Sequence, residues 1–577
     1  MKISIEGAFG SAIIAHNEDR IEEAINLYTE ILEINPDHPD VNHNLGVILR
    51  GRDSLEQALP LFKKALDVRP DVEQFWISYI TSLIDLGDSS KVQSSLKKAK
   101  KRGVRKEVLN ELRLKISSKK WSQTYIASQN PPVDQVQIAI NFSTQGHFEK
   151  ALGHARKLLQ TFPDSAVLFN LIGAQHSKLE QLDEAIAAYK RAVEIEPSFA
   201  VAHVNMANML KDKGELDDAI ASYRRALELK PDCPGTISNL ASILVQKGET
   251  KNALHNFSMC HDLKRGNRPI DPSHKSFEAI SKVKISHDID QFEYLAAAGI
   301  ESKKFSSLAA LYRRVSSEIS WTSDTEVFAL NPAHRALLKD SYNRCNNLVE
   351  APVLSGPVLG CGLDFKNITR NYYSHEHGLV YFDNFLNPKA LKSLRDFLLG
   401  STIWYDLFHP GGYLGAYLDD GLASPLLLQI AEEMRNSLPD IFMDHPLKQL
   451  WAYKYDSRAR MSDSSLAGIR AHADAAAVNV NFWITPAIAN LDNKSGGLVV
   501  YNESAPLHWG FEDFNGSTSR LPAYLESRKE NRLVVPYNEN RIVLFNSNLI
   551  HETDKYYFDE GYENKRINIT MLFGKRG

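Results

Sequence analysis

The chain contains only four cysteines in 577 residues, Cys233, Cys260, Cys345 and Cys361, and no two of them stand in a CxxC spacing. That scarcity disfavours a disulfide scaffold, a zinc finger and an iron–sulfur cluster. No run approaches the roughly 18 apolar residues of a membrane span. The first twenty residues place Lys2 and Glu6 around a short apolar stretch, a poor fit to a secretory signal. Charge of one sign is also lacking: 67 Lys and Arg against 71 Asp and Glu leave −4, so nothing draws nucleic acid or anionic lipid in general. With 43% hydrophobic and 24% charged residues, extensive disorder is not expected. The expectation is a soluble, cytoplasmic chain of two or more domains.

What is present is a period. Prolines stand at Pro36 and Pro70, then at Pro163, Pro197 and Pro231, in steps of 34 within each group. Twelve residues earlier lie Ala24, Ala58, Ala151, Ala185 and Ala219, and eight earlier Tyr28, Phe62, Tyr189 and Tyr223, with Ala155 as the exception. Each repeat reads as a helix pair: small residues allow close crossing, the aromatic fills the gap, and the proline ends the second helix. Gly146, Gly214 and Gly248 fall where the first helix turns into the second.

Segments such as NHNLGVIL, LEQALPLFKKALDVRP and LDDAIASYRRALELKP carry this pattern, and the array resembles tetratricopeptide repeats. Repeats 1–3 register over 1–104 and repeats 4–7 over 132–266, with a basic helical spacer at 105–131. The resemblance implies an all-α superhelix with a concave face for a protein or peptide partner. The rival roles are a spacer or an oligomerisation arm. Asn44, Asn205 and Asn239 share one position on the first helix of their repeats; in related superhelices such asparagines hydrogen-bond an extended peptide. Leu171 interrupts that series. A helical bridge and Pro/Gly-rich linker follow over 267–370.

From 371 the texture changes to short β-branched and aromatic runs: GLVYFDNFL, LWAYKYD, AVNVNFWIT, GGLVVYN, NRIVLFNS and RINITMLFG. Separated by turn-formers, they predict an antiparallel barrel or jelly roll with flanking helices. Within it, RAHADAAAVNVNFW places His472 two residues from Asp474, and His551 follows in NSNLIHETD. Two histidines and a carboxylate on one face of an octahedral ion leave three positions open, the arrangement of non-haem Fe(II). Chance alone yields about two His-x-acid pairs in such a chain. Those at His38–Asp40 and His147–Glu149 belong to the repeats; only His472–Asp474 has the ordered context of strand, distal His and final Arg. Arg566, Asn568 and Thr570 alternate onto one face of the last strand.

The region 371–577 resembles a 2-oxoglutarate/Fe(II)-dependent oxygenase domain of the prolyl-hydroxylase-like and phytanoyl-hydroxylase-like branches, on HADAAAVNVNFWIT, SGGLVVYN, NRIVLFNSNLIHET and RINITMLFG. That resemblance implies a double-stranded β-helix (jelly-roll) barrel, Fe(II) on His472, Asp474 and His551, and the 2-oxoglutarate C5-carboxylate on Arg566. Asn568, Thr570, Tyr453 and Tyr455 are further candidates around the co-substrate. O2 completes the reactants, and the product side is succinate, CO2 and a hydroxylated substrate. The spacing of 15 residues from His551 to Arg566 is longer than usual for the family and brings in Lys565 as a weaker rival. His375-Glu376-His377 lies before the strands with no third ligand in view. The expected activity is hydroxylation of a protein or peptide side chain recruited by the repeats. The alternatives are a non-enzymatic repeat scaffold, or an oxygenase acting on a small metabolite or glycan.

Overall fold

The computed structural model describes residues 5–576 apart from 19, 53, 87–88, 119–129, 268, 270, 272–273, 410–411, 443, 458–467, 517–519, 527 and 529–530. The spacer at 105–131 therefore lies partly outside the described residues. The chain divides into two compact units, Met1–Ser128 and Gln129–Gly577.

In the first unit, Ile5–Asn17 pairs with Ile21–Ile34, Pro39–Gly51 with Leu55–Val68, and Glu73–Leu86 with Ser89–Lys101, before a last helix, Lys106–Ser118. In the second unit the pairs are Val133–Thr144 with Phe148–Leu159, Ala166–Lys178 with Leu182–Ile195, Ala200–Lys213 with Leu216–Leu229, and Pro234–Gln246 with Thr250–Arg265. The periodic residues explain the pairing. Ala24, Ala58, Ala151, Ala185 and Ala219 are fully buried at the crossings. Glycine makes the closest approaches: a Cβ on Gly173 would stand 2.7 Å from the Tyr189 ring, and one on Gly46 2.8 Å from Phe62. At the turns, Gly146, Gly214 and Gly248 take φ of +76°, +92° and +78°, where a side chain is strained.

The bridge has its own core. A short ribbon of β1 (Ala279–Ile280) and β2 (Phe328–Ala329) joins helices Lys282–Ala297 and Ser302–Glu318, which pack Phe292, Phe305 and Tyr312 together.

The remaining strands are β3 (Leu379–Phe382), β4 (Tyr413–Tyr417), β5 (Leu447–Tyr455), β6 (Val478–Trp483), β7 (Leu498–Ser504), β8 (Arg532–Val535), β9 (Ile542–Asn546), β10 (Leu549–Thr553) and β11 (Arg566–Phe573). They form an antiparallel six-stranded sheet, β3-β9-β6-β11-β5-β4, and a three-stranded one, β10-β7-β8. Along β11 the alternation is clean: Ile567, Ile569, Met571 and Phe573 join the apolar core with helices Pro388–Gly400 and Pro425–Ser437, while Arg566, Asn568, Thr570 and Leu572 face a cavity.

One expectation needs correction. No sheet closes into a barrel among the described residues. The segment carrying His472 runs irregularly and meets the smaller sheet through the isolated bridge of His472 with His551 and one further backbone bond from Thr553 to Ile469, so no continuous ladder seals the edge. The repeats of the second unit pack directly against the strands. One apolar core runs from Tyr223, Leu240 and Phe257 in the repeats to Leu450 and Ile569 in the large sheet. No described helix is long and apolar enough to cross a membrane.

Candidate metal and carboxylate site

His472 and His551 exchange both backbone hydrogen bonds, N to O at 3.0 and 2.8 Å, which sets their rings side by side with centres 4.3 Å apart. Each imidazole is then oriented by its own chain: Nδ1 of His472 lies 2.8 Å from the Arg470 carbonyl, and Nδ1 of His551 lies 3.0 Å from that of Leu549. A carbonyl only accepts, so each Nδ1 carries the proton and each Nε2 presents its lone pair. Between them stands Asp474, its oxygens 3.9 Å from His472 Nε2 and 3.4 Å from His551 Nε2. Among the described residues this is the one trio of His, Cys, Asp or Glu close enough to share an ion, with all ligand atoms within 4.8 Å of one another.

The electrostatics suit a cation. Burial, reinforced by the neighbouring His551, lowers His472 to about 4, so its ring is neutral at physiological pH. Burial pushes the Asp474 carboxyl upward, but the polar groups around it, the two imidazoles and the Asn515 amide, outweigh it and hold the group below its ordinary range. A neutral imidazole at His472 and an ionised carboxylate at Asp474 are protonation states a divalent metal requires.

Arg566 opens β11 and is 2% exposed. Its Nε donates to the Gly496 carbonyl at 2.7 Å and Nη2 to that of Gly497 at 3.1 Å. The guanidinium lies over the Tyr455 ring, 4.7 Å from its centre. Nη1 is buried without a hydrogen-bond partner, an exception in a folded interior that a carboxylate would satisfy. The carbonyls of Gly496 and Gly497 aim the arginine, and a Cβ on Gly497 would strike the Val535 carbonyl. A double glycine before a strand was the available signal.

Arg566 and the trio line one cavity of about 520 Å³, together with Tyr453 and Tyr455. The hydroxyl of Tyr455 lies 3.5 Å from that of Thr553, and the hydroxyl of Tyr453 the same distance from that of Tyr417. Asn568 and Thr570 also line the cavity, but their protons go elsewhere: Asn568 Nδ2 and Thr570 Oγ1 both donate to Asn481 Oδ1, at 2.9 and 2.8 Å. Lys565 turns to the other face, where it pairs with Asp456 and, at 2.9 Å, with Asp290. His375 and His377 sit in a separate depression beside His445, their ring centres 6.3 Å apart.

The outer end of the cavity is walled by the repeats. Ser238 and Ser242 of helix Pro234–Gln246 and Phe257 of Thr250–Arg265 line it. The repeat asparagines are already engaged. Asn44, in the first unit, donates to the Tyr28 hydroxyl at 3.4 Å. Asn205 donates to Asn170 at 3.0 Å and Asn239 to Asn208 at 3.3 Å. Asn170 lies one residue before, and Asn208 three residues after, the repeat position that Asn44, Asn205 and Asn239 share, so neither shows in that series.

Family models for the tetratricopeptide repeat match residues 43–69, 136–200 and 200–233. The peroxisomal targeting signal receptor of Eremothecium gossypii is 33% identical over 14% of this chain and 15% of its own length. A probable UDP-N-acetylglucosamine–peptide N-acetylglucosaminyltransferase of Arabidopsis thaliana is 39% identical over 12% of this chain and 7% of its own. The chain thus spans a small part of the curated relatives it matches. Among solved structures, MamA aligns over 37% of this chain and 92% of its own at 15% identity, with a TM-score of 0.20. YrrB, a tetratricopeptide protein titled as having an unusual peptide-binding site, aligns over 43% and 93% at 17% identity and a TM-score of 0.17. The chain carries tetratricopeptide repeats, followed by a region rich in β-sheet.

Proposed function

We propose that the protein is a 2-oxoglutarate- and Fe(II)-dependent dioxygenase that hydroxylates a polypeptide side chain, with the repeats as the surface that holds the substrate. One observation carries this reading: two imidazole Nε2 atoms and a carboxylate converge in the same cavity as an arginine with an unpartnered buried Nη1. On this reading the two sheets are an open relative of the double-stranded β-helix. His472, Asp474 and His551 would hold iron, and Arg566, backed by Tyr455, would hold the distal carboxylate of the co-substrate. When bound, the iron would supply O2 activation coupled to decarboxylation of 2-oxoglutarate. The chain's own contributions are ligand orientation through the Arg470 and Leu549 carbonyls, the carboxylate clamp, and walls that limit water.

A polypeptide substrate is favoured by the wall that helix Pro234–Gln246 gives the cavity, since a chain lying along the repeats would reach it. Asn205 and Asn239 lie on the first helices of consecutive repeats leading there, and carboxamides match the donor–acceptor pattern of a peptide backbone. The test is anaerobic titration of the full chain with Fe(II) and 2-oxoglutarate, followed through the visible charge-transfer absorption of the chelate. Wild type should develop the band, and His472→Ala and Arg566→Ala should lose it.

The second reading, a repeat scaffold without turnover, is favoured by the tetratricopeptide matches, which concern the repeats alone. Absence of the band in well-folded protein would decide for it. Succinate release driven by small metabolites or glycans, and not by peptides, would instead make the substrate a small molecule.

A further inference from the structure

Behind the metal trio runs a one-way chain of hydrogen bonds. Asn479 Nδ2 donates to Asp474 Oδ2, Asn481 Nδ2 donates to Asn479 Oδ1 at 2.6 Å, and Asn568 and Thr570 both donate to Asn481. Asn568 gives its second amide proton to Thr570 Oγ1 at 2.9 Å. None of these four residues is more than 5% exposed.

The direction of the chain follows from chemistry. A carboxylate only accepts, so Asn479 must turn its nitrogen toward Asp474 and its oxygen toward Asn481. Asn481 must then turn its oxygen toward β11, where an amide and a hydroxyl supply protons. Both amide protons of Asn568 and the hydroxyl proton of Thr570 are thereby used within the chain, which leaves neither residue a donor for a ligand carboxylate. A sheet face that needed only packing would carry apolar residues, as β11 does on its other face with Ile567, Ile569 and Met571.

We propose that Asn479 and Asn481 are positioning residues: through them the strand that carries Arg566 sets the orientation of the Asp474 carboxylate, so that the metal and carboxylate sites depend on one another. This inference rests on the metal reading above. Buried polar networks act as units when every member is satisfied, and partners behind a metal ligand set its orientation and basicity.

Co(II), titrated into the full chain without oxygen and followed by its visible d–d absorption, is the probe. Asn479→Ala and Asn481→Ala should each weaken Co(II) binding about 10- to 100-fold and change the band shape. The double variant should bind no more weakly than Asn479→Ala alone, because a broken relay cannot be broken twice. Should Asn481→Ala fail to fold, Thr570→Val removes one terminal donor with little change of shape, and should still weaken Co(II) by about threefold. Variants that melt like wild type and bind Co(II) as tightly, or singles whose effects multiply in the double, would overturn the relay alone. Failure of the wild type itself to bind Co(II) would overturn the metal reading and the relay with it.

Discussion

Arg265 and Asp420 meet across 155 residues of chain, Nε 3.0 Å from Oδ1, with the guanidinium also stacked over Tyr405 at 4.4 Å. Arg265 ends the last repeat helix, and Asp420 closes the turn after β4, whose Tyr413 and Tyr417 line the cavity. Lys264 adds a second contact to Asp420 at 2.9 Å. Removing one partner of a buried pair costs about 3–5 kcal/mol. Arg265→Met should fall at the lower end, because Lys264 still compensates Asp420. Asp420→Asn leaves the buried Arg265 without a carboxylate, whereas Lys264 keeps Asp419 at 3.2 Å, and should cost more. Urea unfolding should show this order, with repeat and strand probes in the second unit shifting together.

Arg566→Lys tests the fork. An ammonium can keep one of the glycine carbonyls but cannot offer a planar pair of donors to a carboxylate. The KM for 2-oxoglutarate should rise by about tenfold or more, corresponding to roughly 1.4 kcal/mol, with a smaller change in kcat. Steady-state succinate release across co-substrate concentrations would check it, and an unchanged KM would remove Arg566 from the clamp.

Acid should act on the wall opposite. Burial works to raise Asp406, but His409 at 3.0 Å, the Phe408 amide and the Tyr417 hydroxyl hold it down to about 2. A carboxyl depressed on folding stabilises the fold above its ordinary value near 3.8, and that stabilisation fades as pH falls toward about 2. The stability gap between wild type and Asp406→Asn should therefore shrink as the pH falls from about 4 toward about 2. Denaturant curves at stepped pH would measure the gap.

Two glycines in the repeats should answer alanine in opposite ways. In Gly173→Ala the new methyl meets Tyr189 at 2.7 Å, and the overpacking should cost about 1–3 kcal/mol. Gly153, inside helix Phe148–Leu159, has nothing within 4 Å, so Gly153→Ala should gain about 0.5–1 kcal/mol. Thermal melts of the two variants should move to either side of wild type.

The elements that sequence reveals here are those with a period. The 34-residue step exposes the helix pairs, and the alternation of RINITMLF exposes which side of β11 is polar. β4, β8 and β10 went unread for local reasons: YLGAY is interrupted by glycine, RLVV is four residues long, and LIHET follows β9 after only Ser547 and Asn548. The shared core was equally hidden, because Leu240 or Phe257 follows the same pattern whether it covers another repeat or a sheet. That His472, Asp474 and His551 come together was visible through their ordered context. The relay through Asn479 was not, because a buried asparagine has no periodic signature.

The common core of repeats and sheet also gives the second unit a direction of growth. At its start, Val133 is 82% exposed and takes no part in that core. A further repeat inserted after Arg265 would have to separate the ion pair with Asp420 and lift Leu240 and Phe257 from the core they share with the strands. Lengthening is therefore resisted at the end beside the cavity, where the final pair is fixed in place by the strands it covers.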